Sequence, residues 1–249
     1  MKNIITIDGY AGCKKTTLAA RIANILGIPY ISAGKLYRLF AYIHTNGDAD
    51  MAESISRLIQ GTNLDNNSKI TFEGCSIDKF DLGTQYIGQM ATTLANNEIV
   101  INTINQILKT MAEKTQMIVD GRNLGNYVFE NAIVKVFVKS DIDTRMNKWV
   151  NYHIQNKIPY TRQKCEEVKT IMERRDYQDE HRLYQPLSCP SDAIVVDVLN
   201  TSVDSATRYV ITQYLKSYGN VFKLTDLSIK SNSIKIEFIV PQAIKKYLN

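Results

Sequence analysis

Nine consecutive residues near the N-terminus, Gly9-Tyr10-Ala11-Gly12-Cys13-Lys14-Lys15-Thr16-Thr17, have the types and spacing to hold phosphate. In such a loop backbone N–H groups converge on anionic oxygens and the following helix adds the positive end of its dipole. A lysine then reaches the outer phosphates and a hydroxyl ligates magnesium. Lys15 and Thr16 stand in those last two places, with Thr17 following, while Gly9, Ala11, Gly12, Cys13 and Lys14 supply the loop backbone. The pattern G-x-x-x-x-G-K-[ST] wants glycine immediately before the lysine, and Lys14 stands there instead. Glycine at that place takes torsions that other residues resist, so Lys14 must turn its side chain out of the loop or distort it. Two readings follow: a working phosphate loop, or one that keeps the fold and binds nucleotide weakly or not at all. Cys13, at a helix N-terminus, could carry a lowered thiol pKa, although a small loop residue is its plainer role. Tyr10 leans over a phosphate or base, or is simply a partly exposed loop aromatic.

The elements around the loop give it meaning. Asn3 to Asp8 is a β-branched run, and Lys15 to Leu26 places Leu18, Ala19, Ile22, Ala23 and Leu26 at helical spacing, with Gly27 as the stop. Ile28 to Ser32 reads as a second strand and Leu36 to Ile43 as a second helix. The pattern weakens over 47–83, which reads as an inserted subdomain with a small β excursion about Lys69 to Gly74. One long helix is expected over Thr84 to Glu113, with Ile99, Ile101, Ile104, Ile107, Leu108 and Met111 inward. Strands follow at Met117 to Asp120 and Ala132 to Val138, then Ser140-Asp141 as a cap for a helix through Trp149 and Tyr152. A further helix runs from Thr161 to Arg182, a strand from Ala193 to Asp197, and a helix from Ser202, its cap, to Tyr218. Two β-rich runs, Val221 to Lys230 and Ile234 to Val240, read as a hairpin extension over 219–249. Alternation of strand and helix predicts an α/β fold on a mainly parallel sheet.

With 249 residues, 44% hydrophobic and 22% charged, the chain is neither disordered nor fibrous. Its net charge of +5 comes from arginines scattered near element ends rather than from one block, which favours a phosphate cleft over a nucleic-acid face. No stretch suits a signal peptide or a membrane span. Four cysteines without C-x-x-C spacing give no zinc or redox motif and fit a cytoplasmic setting, with all but Cys13 read as packing residues. His44, His153 and His181 have no ligand spacing and read as structural.

Several blocks recur in order along the chain: Ile7-Asp8-Gly9-x-Ala11-Gly12, Ser32-Ala33-Gly34-Lys35-Leu36-Tyr37-Arg38 and Val119-Asp120-Gly121-Arg122-Asn123-Leu124-Gly125. Val128-Phe129-x-x-Ala132, Glu173-Arg174-Arg175-Asp176, Asp179, Arg182, Pro186-Leu187 and Asp192-Ala193-Ile194 follow. Together they resemble the bacterial-type cytidylate kinase family over almost the whole chain to about Tyr218. The resemblance implies a P-loop three-layer α/β core over 1–218, with a nucleoside monophosphate-binding insert over 47–83 and a mobile lid over 150–165. It implies ATP as phosphoryl donor, Mg2+, and a nucleotide acceptor, CMP or dCMP first, with no nucleic acid and no membrane as partner. Lys15, Arg122 and Arg182 would be catalytic; Arg38, Arg122 and Arg182 would hold the acceptor phosphate, and Arg175 and Asp179 its sugar. Guanidinium groups suit phosphate because they stay charged and bind it as a fork. Asp120, closing a buried strand, would organise magnesium with Thr16. Arg145 and Lys148 read equally as lid cations or surface ion pairs. The family's base-reading serine, arginine and aspartate are matched by Ala33, Ile101 and Asn123, so the sugar and phosphate apparatus is kept while the base apparatus is altered. Two further readings stay open: a kinase of another phosphorylated or phosphonate acceptor, and a degenerate nucleotide-binding or protein-interaction module.

Overall fold

Uninterrupted apolar runs become strands buried on both faces, and the amphipathic stretches between them become covering helices. A computed structural model describes residues 3–47, 50–199 and 201–217. In chain order the elements are β1 (Ile4–Gly9), α1 (Lys15–Leu26), β2 (Tyr30–Ser32), α2 (Ala33–Asn46), α3 (Met51–Gly61), β3 (Thr62–Leu64), β4 (Ile70–Phe72) and β5 (Cys75–Ser76). After these come α4 (Gln85–Leu94), α5 (Glu98–Lys114), β6 (Met117–Asp120), α6 (Leu124–Tyr127), β7 (Val134–Lys139), α7 (Ile142–Gln155), α8 (Arg162–His181), β8 (Ile194–Asp197) and α9 (Val203–Lys216).

The main sheet has the order β2-β6-β1-β7-β8, with every pairing parallel. Alternation along β1 sends Ile4 to one face, among residues of α2, α4 and α5, and Ile5 and Ile7 to the other, against α1 and α9. Two apolar layers thus sandwich the sheet, the three-layer arrangement expected of alternating strands and helices. A separate antiparallel sheet, β3-β4-β5, lies with α3 inside the stretch 47–83.

The structure departs from the sequence reading at α4–α5, at α3 and at two cysteines. The single long helix is two: Asn97 accepts from the N–H groups of Ile99 and Val100 and caps α5 afresh after α4. Ile99 therefore falls in the first turn of α5 and is 61% exposed, whereas Ile101, Ile104, Ile107, Leu108 and Met111 are buried. Helix α3 forms where the apolar pattern is weak because Asp50 caps it by accepting from Glu53 N–H, and because its buried face includes Ser54, whose hydroxyl bonds Asp50 O and His44 Nδ1. Cys75 and Cys189 are exposed, so neither is a packing residue. Asp141 and Ser202 do cap α7 and α9. The hairpin extension lies outside the described residues. Among those described, no helix is long and apolar enough to cross a membrane.

Candidate active site

The C-terminal ends of β1, β2 and β6 open onto one cleft of about 640 Å³, where ligands meet parallel α/β sheets. The phosphate loop, leaving β1, forms one end. Gly9 turns there at φ +139°, and a Cβ on it would sit 2.0 Å from the Val138 carbonyl oxygen of the neighbouring strand. Lys14 keeps the backbone shape that the missing glycine would have, φ 61° and ψ 22°, at a strain of about 1–2 kcal/mol for a residue with a Cβ. Its ammonium lies 5.9 Å from the Tyr152 ring centroid on α7, and both residues line the cleft. The loop thus keeps a glycine-like torsion at Lys14, and the side chain joins the cleft wall.

Helices α7 and α8 brace the loop. Arg145 Nη1 donates to Ala11 O (2.9 Å) and pairs with Asp176 (2.5 Å), while Asp176 Oδ1 accepts from Ala11 N–H (3.2 Å). Both polar groups of one loop peptide unit's residue are thus held by a buried ion pair. Arg145 is 6% exposed, so it is neither a free lid cation nor a surface ion pair. Lys148, whose pKa burial lowers, donates to Val198 O at 2.9 Å. Tyr10 donates to Glu180 on α8 (2.7 Å) and meets Phe137 edge-on, so its ring is tethered away from the cleft. Burial raises the pKa of the Cys13 thiol, the reverse of an activated cysteine.

Lys15 is buried and donates to Tyr10 O at 2.5 Å. Desolvation, with the Arg122 charge second, lowers its pKa to about 7. Thr16 Oγ1 donates to Asp120 Oδ2 at 3.0 Å, and Asp120 Oδ1 is buried with no hydrogen-bond partner among the described residues. A hydroxyl beside an unsatisfied carboxylate oxygen fits a hard divalent cation that draws its other ligands from phosphate and water.

At the far end Arg38, Arg122, Arg175 and Arg182 converge on the cleft with the single carboxylate Asp179. Arg122 Nε bonds Asp179 Oδ2 (2.6 Å) and its Nη1 donates to Gly9 O (3.0 Å); Arg182 Nη2 is 3.9 Å from Asp179. Arg38 donates to Leu82 O at 2.7 Å and lies over Gly88, where a Cβ would come within 2.9 Å of Nη2. Arg175 Nε and Arg182 Nε and Nη2 are buried without hydrogen-bond partners among the described residues, and desolvation, then Arg122, brings the Arg175 pKa down to about 10. Cations held this way await an anion. Asp8 at the end of β1 accepts from Leu124 and Gly125 N–H (3.0 and 2.8 Å), which fixes the turn carrying Arg122 and Asn123; burial raises its pKa to about 6.

Of the altered base positions, Ala33 and Asn123 line the cleft, while Ile101 is 2% exposed in the core and does not. Asn105, one helical turn further along α5, does. Sequence reasoning passed over Asn105 because the eye follows the apolar members of α5, and over the loop-bracing role of Asp176 because its partners are 31 and 165 residues away.

A phosphate loop opposite clustered arginines, across the ends of a parallel sheet, defines a phosphotransferase. Residues 5–216 match the family model described as cytidylate kinase. The chain belongs to that family. It is 29% identical over 208 residues to a cytidylate kinase of Thermosipho melanesiensis, covering 83% of this chain and 94% of that one. Identity is likewise 29% over 220 residues to one of Nitratidesulfovibrio vulgaris (86% and 93%), and 27% over 213 to one of Fusobacterium nucleatum (83% and 94%). Among solved structures, a gluconokinase from Sinorhizobium meliloti aligns with a TM-score of 0.45 at 13% identity over 86% of this chain and 92% of its own, a likeness too slight to carry an argument.

Proposed function

We propose that the protein transfers the γ-phosphoryl group of ATP to a nucleoside monophosphate, with CMP and dCMP the first candidates. The observation that carries this is the arginine cluster: Arg38, Arg122, Arg175 and Arg182 line the same cleft as the phosphate loop, only Arg122 and Arg182 are paired with Asp179, and buried N–H groups there lack partners among the described residues. In this reading the loop amides and Lys15 hold the donor phosphates, Arg38, Arg122 and Arg182 grip the acceptor phosphate, and Arg175 and Asp179 take its sugar. Thr16 and Asp120 would hold Mg2+, which would neutralise phosphate charge. Catalysis is positioning and charge stabilisation between two anions, without a covalent enzyme intermediate.

Magnesium-dependent ADP release from ATP, with and without CMP, tests the reading. Arg38→Ala is expected to lower CMP-dependent turnover by about 10²–10³-fold, the usual loss on removing one charge-stabilising donor. Unchanged kinetics would take Arg38 out of the site, and ATP with no active acceptor would favour a binding module. The Lys14 backbone, which holds the left-handed torsion a glycine would take, supports turnover over that alternative. An acceptor other than CMP is supported by the altered base positions, and their chemistry points to a specific one.

A further inference from the structure

We propose that Asn105, Asn123 and Gln185 form a base-reading site of reversible hydrogen-bond polarity, which takes uracil as well as cytosine; this rests on the reading of the chain as a nucleoside monophosphate kinase. Asn123 follows β6, Asn105 lies on α5, and Gln185 lies between α8 and β8. Asn105 and Asn123 line the acceptor end of the cleft beside Ala33 and Ile104. Gln185 stands behind and joins them: Asn105 Nδ2 donates to its Oε1 at 3.0 Å, and Asn123 Nδ2 donates to its backbone carbonyl. Gln185 has φ 51°, a torsion unusual for a residue with a side chain, and it is held twice, at its side chain by Asn105 and at its backbone carbonyl by Asn123. Strain fixed by such contacts marks positions where the surrounding structure specifies geometry.

The chemistry follows from the side-chain inventory. Cytosine presents a 4-amino donor beside an N3 acceptor, and uracil presents the reverse, a 4-oxo acceptor beside an N3–H donor. A carboxylate only accepts and a guanidinium only donates, so either group selects one of the two bases. Neither stands at the matched base positions: the position matched to the arginine is the core residue Ile101, and that matched to the aspartate is Asn123. The Gln185 carbonyl uses one N–H of Asn123, which leaves its Oδ1 acceptor and a second N–H donor for a ligand. The Asn105–Gln185 bond joins two amides, so if both turn over, the N–H···O contact survives with its direction reversed. Asn105 can then show oxygen or N–H to the base without breaking the link that positions it.

The test uses the full chain. Turnover (kcat/KM) and, by calorimetry, equilibrium binding are measured for CMP, UMP, dCMP, dUMP, AMP and GMP. UMP is expected to bind and react within about tenfold of CMP, since neither base leaves a buried polar group unpaired. Asn123→Asp is expected to lower the UMP/CMP ratio by about a hundredfold, because a carboxylate facing the 4-oxo group has no proton to offer. Asn105→Leu, which cuts the tie to Gln185, is expected to raise KM for both pyrimidines more than it lowers kcat. A native preference for CMP beyond about a hundredfold, an unmoved ratio in Asn123→Asp, a preference for a purine, or no pyrimidine binding would each overturn the proposal. Absence of turnover with every monophosphate would refute the kinase reading instead, and the binding ratio of UMP to CMP would still decide the pocket.

Discussion

Replacing Arg145 with methionine removes the cation from a buried pair and leaves Asp176 charged, with side-chain exposures of 6% and 12% for the two partners. Breaking such a pair from one side typically costs about 3–5 kcal/mol, because the remaining charge stays desolvated. In a chain of this length 1 kcal/mol moves the midpoint by roughly 2–4 °C, so Arg145→Met is expected to lower Tm by about 6–20 °C. The same change frees the Ala11 carbonyl, which Arg145 holds at 2.9 Å, so ATP affinity should fall with stability as the loop loses a support. Calorimetric or fluorescence melting of Arg145→Met, Asp176→Leu and the double variant gives the coupling directly. The double variant removes both charges and is expected to recover at least half of the single-variant loss. An Arg145→Met midpoint within about 2 °C of the native protein, or strictly additive losses, would refute the brace.

Lys14→Gly relieves the left-handed torsion but restores backbone freedom to the unfolded chain and gives up the Tyr152 contact, so the melting midpoint should move by no more than about 3 °C. A rise of more than about tenfold in KM for ATP would show that the Lys14 ammonium serves the donor after all. With its pKa at about 7, Lys15 has shed most of its proton at pH 8; a bound triphosphate restores the charge, so calorimetry in buffers of different ionisation heat should show close to one proton taken up at pH 8 and almost none near pH 6. Equal uptake at both pH values, or uptake surviving in Lys15→Met, would contradict that depression. The same shift means the unfolded chain binds more protons between pH 7 and 10.5, so the Lys15 contribution makes the native state more stable as pH rises through that window. Asp120→Asn is expected to leave the melting curve close to native but to raise the magnesium concentration needed for half-maximal turnover by about tenfold or more; an unchanged magnesium dependence would remove Asp120 from that role.

Much of this architecture is legible in local chemistry. The phosphate loop shows because its residues are consecutive and sit between a β-branched run and an amphipathic one, and even the awkwardness at Lys14 can be read from the pattern. Caps at Asp141 and Ser202 show for the same reason: side chain and recipient amide are three residues apart. The cap at Asn97 was equally local, yet apolar residues continuing on both sides of it masked the break between α4 and α5. What the sequence hides is pairing at a distance. The brace on Ala11 joins residues from the loop, α7 and α8, and the anchoring of the Arg122 turn joins Asp8 to amides 116 and 117 residues later. Matching base positions in linear order pointed to Ile101, but helical phase buries that residue and presents Asn105 to the cleft.

Arg122 grips the Gly9 carbonyl with one nitrogen and the Asp179 carboxylate with another, so a single side chain is attached both to the loop proposed to receive the donor and to the helix proposed to receive the acceptor. An acceptor phosphate that draws on this guanidinium changes what it gives to Gly9, and hence the energy of the loop before ATP arrives. Thermodynamic reciprocity then requires the converse by the same factor: whatever the acceptor does to the affinity for ATP, ATP does to the affinity for the acceptor. On the proposed reading neither substrate would have a dissociation constant independent of the other, and the order in which they bind would become a property of concentration rather than of the protein.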